Sequence, residues 1–300
     1  MEMNRGDELG QEVPEPLASE EAASPWTSMD VDLSAISHPG LVKEANEDSY
    51  LVIRFGRTLE SLSTNLDESF LEQSYSFTGY GVFVADGMAA MTSGELSSRM
   101  ALAHLVDLIL NTSDWTLALT QERDVQTVLK RMTQRFLQVD EILREEAKRN
   151  PALAGIGTTL TVAGLVGNDL VIGHVGDSRA YLLRGTELQQ LTTDHTLAQA
   201  LIDAGVANRD DPATRSMRHV LTAAIGSMGE QIHPQIESFK LESGDRILLC
   251  SDGLTEMVSD KTIAQVLSET TSSRNACQTL IDLALEAGGV DNVTVVVALL

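Results

Sequence analysis

Two hydrophobic runs that each break off at Asp-Gly constrain this chain more than any other feature. Gly81-Val82-Phe83-Val84-Ala85 leads into Asp86-Gly87-Met88, and Arg246-Ile247-Leu248-Leu249-Cys250-Ser251 leads into Asp252-Gly253. Runs rich in apolar residues of this kind signal buried strands, and such a strand delivers the carboxylate to its own C-terminal end. The glycine that follows lets the chain turn sharply and exposes its carbonyl. A third aspartate, in Asp291-Asn292, opens the last apolar run, Val293-Thr294-Val295-Val296-Val297-Ala298-Leu299. An isolated Asp-Gly is also a common turn. The sequence therefore asks one question of the fold, whether Asp86, Asp252 and Asp291 converge.

Composition bounds the chemistry of such a site. With 300 residues, 43% of them hydrophobic, the chain suits one large domain or two ordinary ones. Its 44 acidic residues against 21 lysines and arginines give a net charge of -23. That charge argues against nucleic acid or an anionic membrane as partner and suits cations. Cys250 and Cys277 match no metal or redox spacing and read as buried thiols of a reducing compartment. No apolar run reaches the roughly 18 residues of a membrane span. The N-terminus is acidic where a signal peptide is basic, so a cytoplasmic protein is the expectation.

Residues 1–30 carry eight acidic residues, Arg5 as the one base, and Pro14, Pro16 and Pro25. Too little apolar surface is available there to offset ordering entropy, which predicts a disordered tail, either inert or docking. Residues 31–300 read as one domain. Alternation at Val31, Leu33 and Ala35 predicts a strand closed by His38-Pro39-Gly40, and Leu51-Val52-Ile53 predicts another. Residues 56–78, polar and aperiodic, read as an insertion between two strands of one hairpin. Thr92 and Glu95 have capping-box spacing, and Leu96, Met100, Ala103, Val106 and Leu110 recur as the core face of a helix. Val125, Val128, Met132, Phe136, Val139 and Leu143 mark a second helix, ending before Asn150-Pro151. Strands follow at 158–166 and 169–175 around the turn pair Gly167-Asn168, then at 180–183. Residues 192–226, mixed and polar with a short helix at 197–204, read as a flap. Helices at about 260–267 and 276–286 precede the last strand.

Carboxylates gathered in one place repel one another and must protonate unless a cation neutralises them. Oxygen ligands without a His or Cys set select magnesium or manganese over zinc or copper. Two such ions about 4 Å apart can share a water, lower its pKa and direct the hydroxide at phosphorus. Metal-assisted phosphate hydrolysis therefore follows if the three aspartates meet.

Seven motifs, in order, extend this reading over about residues 31–300. They are Asn46-Glu47-Asp48, Val84-Ala85-Asp86-Gly87-Met88, Gly157-Thr158-Thr159, Gly176-Asp177-Ser178-Arg179, Leu191-Thr192-Thr193-Asp194-His195, Cys250-Ser251-Asp252-Gly253 and Asp291-Asn292-Val293-Thr294. Together they resemble the PPM family of metal-dependent serine/threonine protein phosphatases, also called protein phosphatase 2C, and the bacterial branch most. The resemblance implies an α+β fold, a four-layer α-β-β-α sandwich of two central antiparallel sheets flanked by antiparallel helices. It implies that Asp86 bridges two manganese or magnesium ions, with the Gly87 carbonyl as a further ligand. Asp252 and Asp291 would complete one ion's shell, and Glu47 and Asp48 would serve the other directly or through water. Asp177 matches the residue that, with Asp252, holds a third ion in bacterial members, and 192–226 matches the flap beside it. The implied reaction is one-step hydrolysis of phosphoserine and phosphothreonine by a metal-bridging hydroxide. The implied partners are phosphorylated proteins, serine/threonine kinases or their substrates, met by a monomer.

Three departures from the family pattern bear on activity. Lys43 stands where the family has an arginine that grips the substrate phosphate. Lysine can still orient the phosphate oxygens but lacks the planar two-pronged geometry. Ala89-Ala90 replace paired glycines and add Cβ atoms beside the bridging aspartate. Met88 replaces a histidine proposed as general acid in eukaryotic relatives, as is common in bacterial members. These departures keep a second reading open, a catalytically weak or silent relative that binds phosphoproteins or a kinase as a scaffold. The intact ligand set favours the enzyme.

Overall fold

The computed structural model describes residues 31–60, 74–88, 94–111, 125–208, 211–227, 229 and 231–300. The expected tail, Thr92 and Ala89-Ala90 lie outside the described residues. In chain order the elements are β1 (Asp32–His38), β2 (Asp48–Glu60), β3 (Ser74–Met88), α1 (Gly94–Asn111), α2 (Val125–Arg149), β4 (Gly157–Thr158), β5 (Leu160–Val166), β6 (Asp169–Val175), β7 (Arg179–Arg184) and β8 (Glu187–Gln190). There follow α3 (Leu197–Asp203), α4 (Pro212–Arg215), β9 (Gln235–Lys240), β10 (Arg246–Cys250), α5 (Asp252–Thr255), α6 (Asp260–Glu269), α7 (Ser273–Glu286) and β11 (Val293–Leu299).

Side-chain alternation explains how these elements layer. In β10, Leu248 and Cys250 pack toward α6 and α7, while Ile247 and Leu249 pack toward the opposite sheet. In β11, Val293, Val295 and Val297 take the helix side, and Val296 and Ala298 the sheet side. A strand covered on both faces needs apolar residues at every position, which is why these runs show no polar alternation. The same division holds in β3, where Val82 and Val84 face the other sheet and Phe83 and Ala85 face α1 and α2. Each of the valine, leucine, isoleucine and phenylalanine side chains among these contributes about 1.5–3 kcal/mol when fully buried. One sheet runs β1-β11-β10-β7-β8 and the other β2-β3-β5-β6-β9, with β4 paired to the end of β3. All pairs are antiparallel. The result is the helix–sheet–sheet–helix sandwich that the resemblance implied.

Two expectations are corrected. The stripe Leu96, Met100, Ala103, Val106, Leu110 is not the core face of α1, since Leu96 and Leu110 are 45% and 68% exposed. The buried face is Gly94, Ser97, Ser98, Ala101, Leu102, Leu105 and Ile109. Two serines disguise it. Ser97 Oγ donates to the carbonyls of Gly94 and Gly157, both at 2.7 Å, and Ser98 Oγ donates to the Glu47 carbonyl at 2.6 Å. A hydroxyl satisfied in this way can be buried. Residues 56–60 and 74–78, expected as insertion, are instead strand, paired from Gly56↔Thr78 to Glu60↔Ser74. Cross-strand pairing carries the hairpin on where side-chain periodicity fails, and residues 61–73 lie outside the described residues. By contrast α2 buries Phe136, Val139 and Leu143 and ends at Arg149, as read. Cys250 and Cys277 are buried free thiols. The strands β8 and β9 escaped the sequence reading because they are short, half-polar sheet edges.

Candidate metal centre

The register of β2 on β3 sets Asp48 directly opposite Asp86. The Asp86 peptide is clamped on both sides. Its N–H donates to Thr159 Oγ1 at 2.9 Å, and its carbonyl accepts from Thr158 Oγ1 at 2.8 Å and from Thr159 N–H at 2.9 Å. This is the structural content of Gly157-Thr158-Thr159. Gly176, at φ +118°, allows the close approach behind it, because a Cβ there would lie 2.6 Å from Thr159 Cβ.

The second sheet supplies the rest. Ser251 Oγ, just past β10, and Thr294 Oγ1, in β11, each donate to Asp48 Oδ2 at 2.7 Å. Asn292 stitches the loop before β2 to β11. Its Oδ1 accepts from Glu47 N–H at 2.8 Å, and its Nδ2 donates to the Pro39 and Ala45 carbonyls at 2.8 and 2.9 Å. Glu47 and Asp291 thereby arrive at one place. At the start of α1, a Cβ on Gly94 would collide with the Glu47 carboxylate, and a Cβ on Gly87 with the Gly94 carbonyl. The Asp-Gly of the opening run is thus held by tight backbone approach.

The three strand-end aspartates converge. Burial pushes the Asp86 carboxyl well above its ordinary range, and the charges of Asp48, Asp252, Asp177 and Asp291 push it further. Burial raises Asp48 to about 7 against the opposing hydrogen bonds from Thr294 and Ser251, with help from Asp252 and Asp291. Asp177 rises to about 8 through burial and then the charges of Asp252 and Asp194. Asp252 is raised by burial and by Asp291, and it shares a hydrogen bond with Asp86. Two carboxylates hold such a bond only by sharing a proton, or yield it to a cation.

The donor set fits divalent cations on this chain's own observations. Asp48 Oδ1 is buried and has no hydrogen-bond partner, and an orphaned acceptor among mutually repelling carboxylates is what a hard cation would satisfy. Among the described residues Lys43 brings a cation to this end, its Nζ 3.0 Å from Asp291 Oδ1. Burial works to lower the Lys43 pKa, but the hydrogen bond and charge of Asp291, with the charges of Glu47 and Asp86, outweigh it and the net shift is upward. Lys43 is therefore engaged with a would-be ligand.

The segment expected as a flap is tied down at both ends. His195 N–H donates to the Gly176 carbonyl at 2.6 Å, Ile225 and Thr158 exchange two backbone hydrogen bonds, and Gly226 N–H donates to Asp140 Oδ1 at 2.8 Å. Arg179 of the Gly-Asp-Ser-Arg turn grips Asp194 with two prongs, Nε to Oδ1 at 2.8 Å and Nη2 to Oδ2 at 2.6 Å. Two of the sequence motifs thus form one structural pair. Two further residues, not among the sequence candidates, stand at the site. Glu256 follows α5 one helical turn after Asp252, a spacing that the sequence does show. His219 comes from the flap, and its Nδ1 lies 2.6 Å from Glu256 Oε1. Nothing local in the sequence marks His219, because its approach is a long-range contact.

Residues 65–286 match the protein phosphatase 2C family. That span omits Lys43, Glu47, Asp48 and Asp291, which the fold brings beside the residues inside it. The chain is 37% identical over 218 residues, 72% of its length, to the serine/threonine protein phosphatase PstP of Mycobacterium tuberculosis, of which the match spans only 39%. It is 29% identical over 267 residues, 88% of its length and 96% of the relative's, to the protein phosphatase PhpP of Streptococcus pneumoniae. The solved catalytic domain of PstP, in complex with two manganese ions, is similar with a TM-score of 0.67 at 32% identity, over 89% of this chain and 97% of that one. With the clamped Asp86 strand, the converging carboxylates and the four-layer sandwich, these likenesses place the chain in the protein phosphatase 2C family.

Proposed function

We propose that this chain is a metal-dependent protein serine/threonine phosphatase that hydrolyses phosphoserine and phosphothreonine in one step. The observation that carries the reading is Asp86, half-buried where the ends of both sheets meet and facing the charges of Asp48, Asp252, Asp177 and Asp291. Bound divalent ions supply charge neutralisation, a Lewis acid for phosphate oxygens and a lowered pKa for water. Asp86 would help to hold the core ions, with the Gly87 carbonyl as a further ligand. Asp252 and Asp291 would serve one ion, Glu47 and Asp48 the other, and Asp177 with Asp252 a third. Ser251 and Thr294 hold Asp48 Oδ2, which leaves Oδ1 unengaged for ligation.

Lys43, now paired with Asp291, would orient the phosphate oxygens as a point charge where Asp291 is taken up by an ion. Met88 carries no proton to donate, so protonation of the leaving alkoxide falls to water. Substrates are phosphorylated proteins, serine/threonine kinases or their targets, bound by a monomer in the cytoplasm. Among the described residues no helix is long and apolar enough to cross a membrane. The engagement of Lys43 with Asp291 is what favours the competing scaffold reading.

One assay separates the two. Hydrolysis of a phosphothreonine peptide is measured with and without manganese, for the wild type and for Asp86→Asn and Asp252→Asn. Manganese-dependent activity that both substitutions abolish supports the enzyme. Undiminished activity in either purified variant sinks it, and phosphopeptide binding without turnover in the wild type favours the scaffold.

A further inference from the structure

The flap contains an excursion that leaves the body and returns on a two-stranded neck. Thr196 and Leu221 form a bridge, Leu197 N–H donates to the Val220 carbonyl at 2.7 Å, and Thr222 N–H donates to the His195 carbonyl at 2.8 Å. Just before the neck closes, His219 reaches α5. Glu256 N–H donates to the Asp252 carbonyl at 2.9 Å, so these two side chains lie one helical turn apart on the same face. One donor atom each from His219, Asp252 and Glu256 already lies within 4.8 Å of the others, a gathering that no other His, Cys, Asp or Glu group among the described residues shows.

A simple surface ion pair needs only one carboxylate. Here the imidazole pairs with Glu256, and a second carboxylate, Asp252 of the metal centre, lies in the same cluster. Donor atoms at ~2.1–2.2 Å from a shared cation stand about 3 Å apart when adjacent and about 4.4 Å apart when opposite, so a cluster whose donors all lie within 4.8 Å is near the spacing that an ion imposes. The charge of Glu256 also reaches Asp177, which places the cluster on the third-ion side of the centre.

We propose that His219 is a metal ligand: with Asp252 and Glu256 it completes a site for a divalent ion, and the bound ion latches the 196–221 excursion onto α5. An imidazole in the shell favours manganese, cobalt or zinc over magnesium. The position of the excursion, and with it access to the centre from that side, then follows metal occupancy. The proposal rests on the metal-centre reading, because Asp252 serves both.

The test uses manganese alone as the probe, on the full chain. Equilibrium dialysis counts bound ions, pulsed electron paramagnetic resonance detects nitrogen coupled to manganese, and trypsin reports on the excursion. The wild type should bind one more ion than His219→Ala and show imidazole nitrogen coupling that the variant lacks. Manganese should slow cleavage within the excursion in the wild type only. Glu256→Gln should weaken the same ion by at least about tenfold, as loss of even an outer partner of a ligand does. Equal ion counts and affinities in wild type and His219→Ala, without nitrogen coupling in either, would overturn the proposal while leaving the core centre standing. A wild type that binds no manganese would overturn both. The His219 side chain is 60% exposed, so the fold should tolerate alanine there, and thermal unfolding in chelator checks that it does.

Discussion

Asp86 and His219 reach the same centre by opposite means. Asp86 ends a strand buried between a helix layer and a second sheet, its peptide clamped by Thr158 and Thr159 and its cross-strand neighbour Asp48 held by Ser251 and Thr294. His219 sits on an excursion anchored at its neck, and it touches the centre through a single ion pair between partly exposed side chains. The strand-borne half is held by hydrogen bonds within the chain itself. The excursion-borne half has a geometry that an ion can set. Under the proposed function the first would be a preorganised shell for the chemistry and the second an adjustable cover for the substrate.

The comparison can be broken most sharply at Asp86. In Asp86→Asn, manganese-dependent hydrolysis of a phosphothreonine peptide should fall about 10³-fold or more, since the lost Lewis-acid chemistry is worth several kcal/mol. Retention of wild-type kcat/KM would remove Asp86 from the centre. A smaller effect is expected one bond further out. Ser251→Ala frees Asp48 Oδ2 from one of its two donors, and core manganese affinity should drop about 10–100-fold. An unchanged titration would show that the hydroxyls do not preset the strand-borne half.

Metal removal exposes the cost of that preorganisation. The carboxyls of Asp48 and Asp177 keep protons up to about 7 and about 8 in the folded, metal-free protein, against 3.8 for an unperturbed aspartate. The folded state then binds more protons than the unfolded one. The resulting stabilisation is complete below about pH 4 and is lost as pH rises through the folded values, at roughly 1.4 kcal/mol per pH unit and group. His174, lowered by burial to about 3 from 6.5, slopes the other way below its unfolded value. Between pH 6.5 and 8.5 the carboxyls should therefore dominate. Thermal unfolding in chelator should move to lower temperature across that window, and manganese should abolish the trend. A flat profile would mean that the acidic cluster is not strained without metal.

The smallest effect concerns Lys43. Lys43→Arg restores a planar two-pronged donor, and KM for the phosphopeptide should fall by about two- to tenfold with kcat little changed. A raised KM would show that the pairing with Asp291, not phosphate binding, is the role of this position.

Legibility in the sequence followed the range of the interactions involved. The strands ending at Asp86 and before Asp252 were plain, because an apolar run broken by Asp-Gly is a local signal. The α2 stripe was plain for the same reason, and Phe136, Val139 and Leu143 are fully buried. In α1 the same reasoning chose the wrong face, because Ser97 and Ser98 are buried by hydrogen bonds to Gly157 and Glu47 that lie far away in the chain. The hairpin of β2 and β3 was cut short, because beyond Gly56 it is held by pairing and not by periodicity.

By itself the sequence determined which strands carry carboxylates, where the glycine turns fall and that the site would take hard cations, since periodicity, turn chemistry and residue type act within a few positions. Only the tertiary structure decided that Asp48 faces Asp86 across a register, that Ser251 reaches Asp48 from 203 positions away, and that His219 and Glu256 join Asp252. The physical reason is that a charge or an open coordination position becomes chemistry only through neighbours in space, and in this fold those neighbours come from both sheets, α5 and the flap.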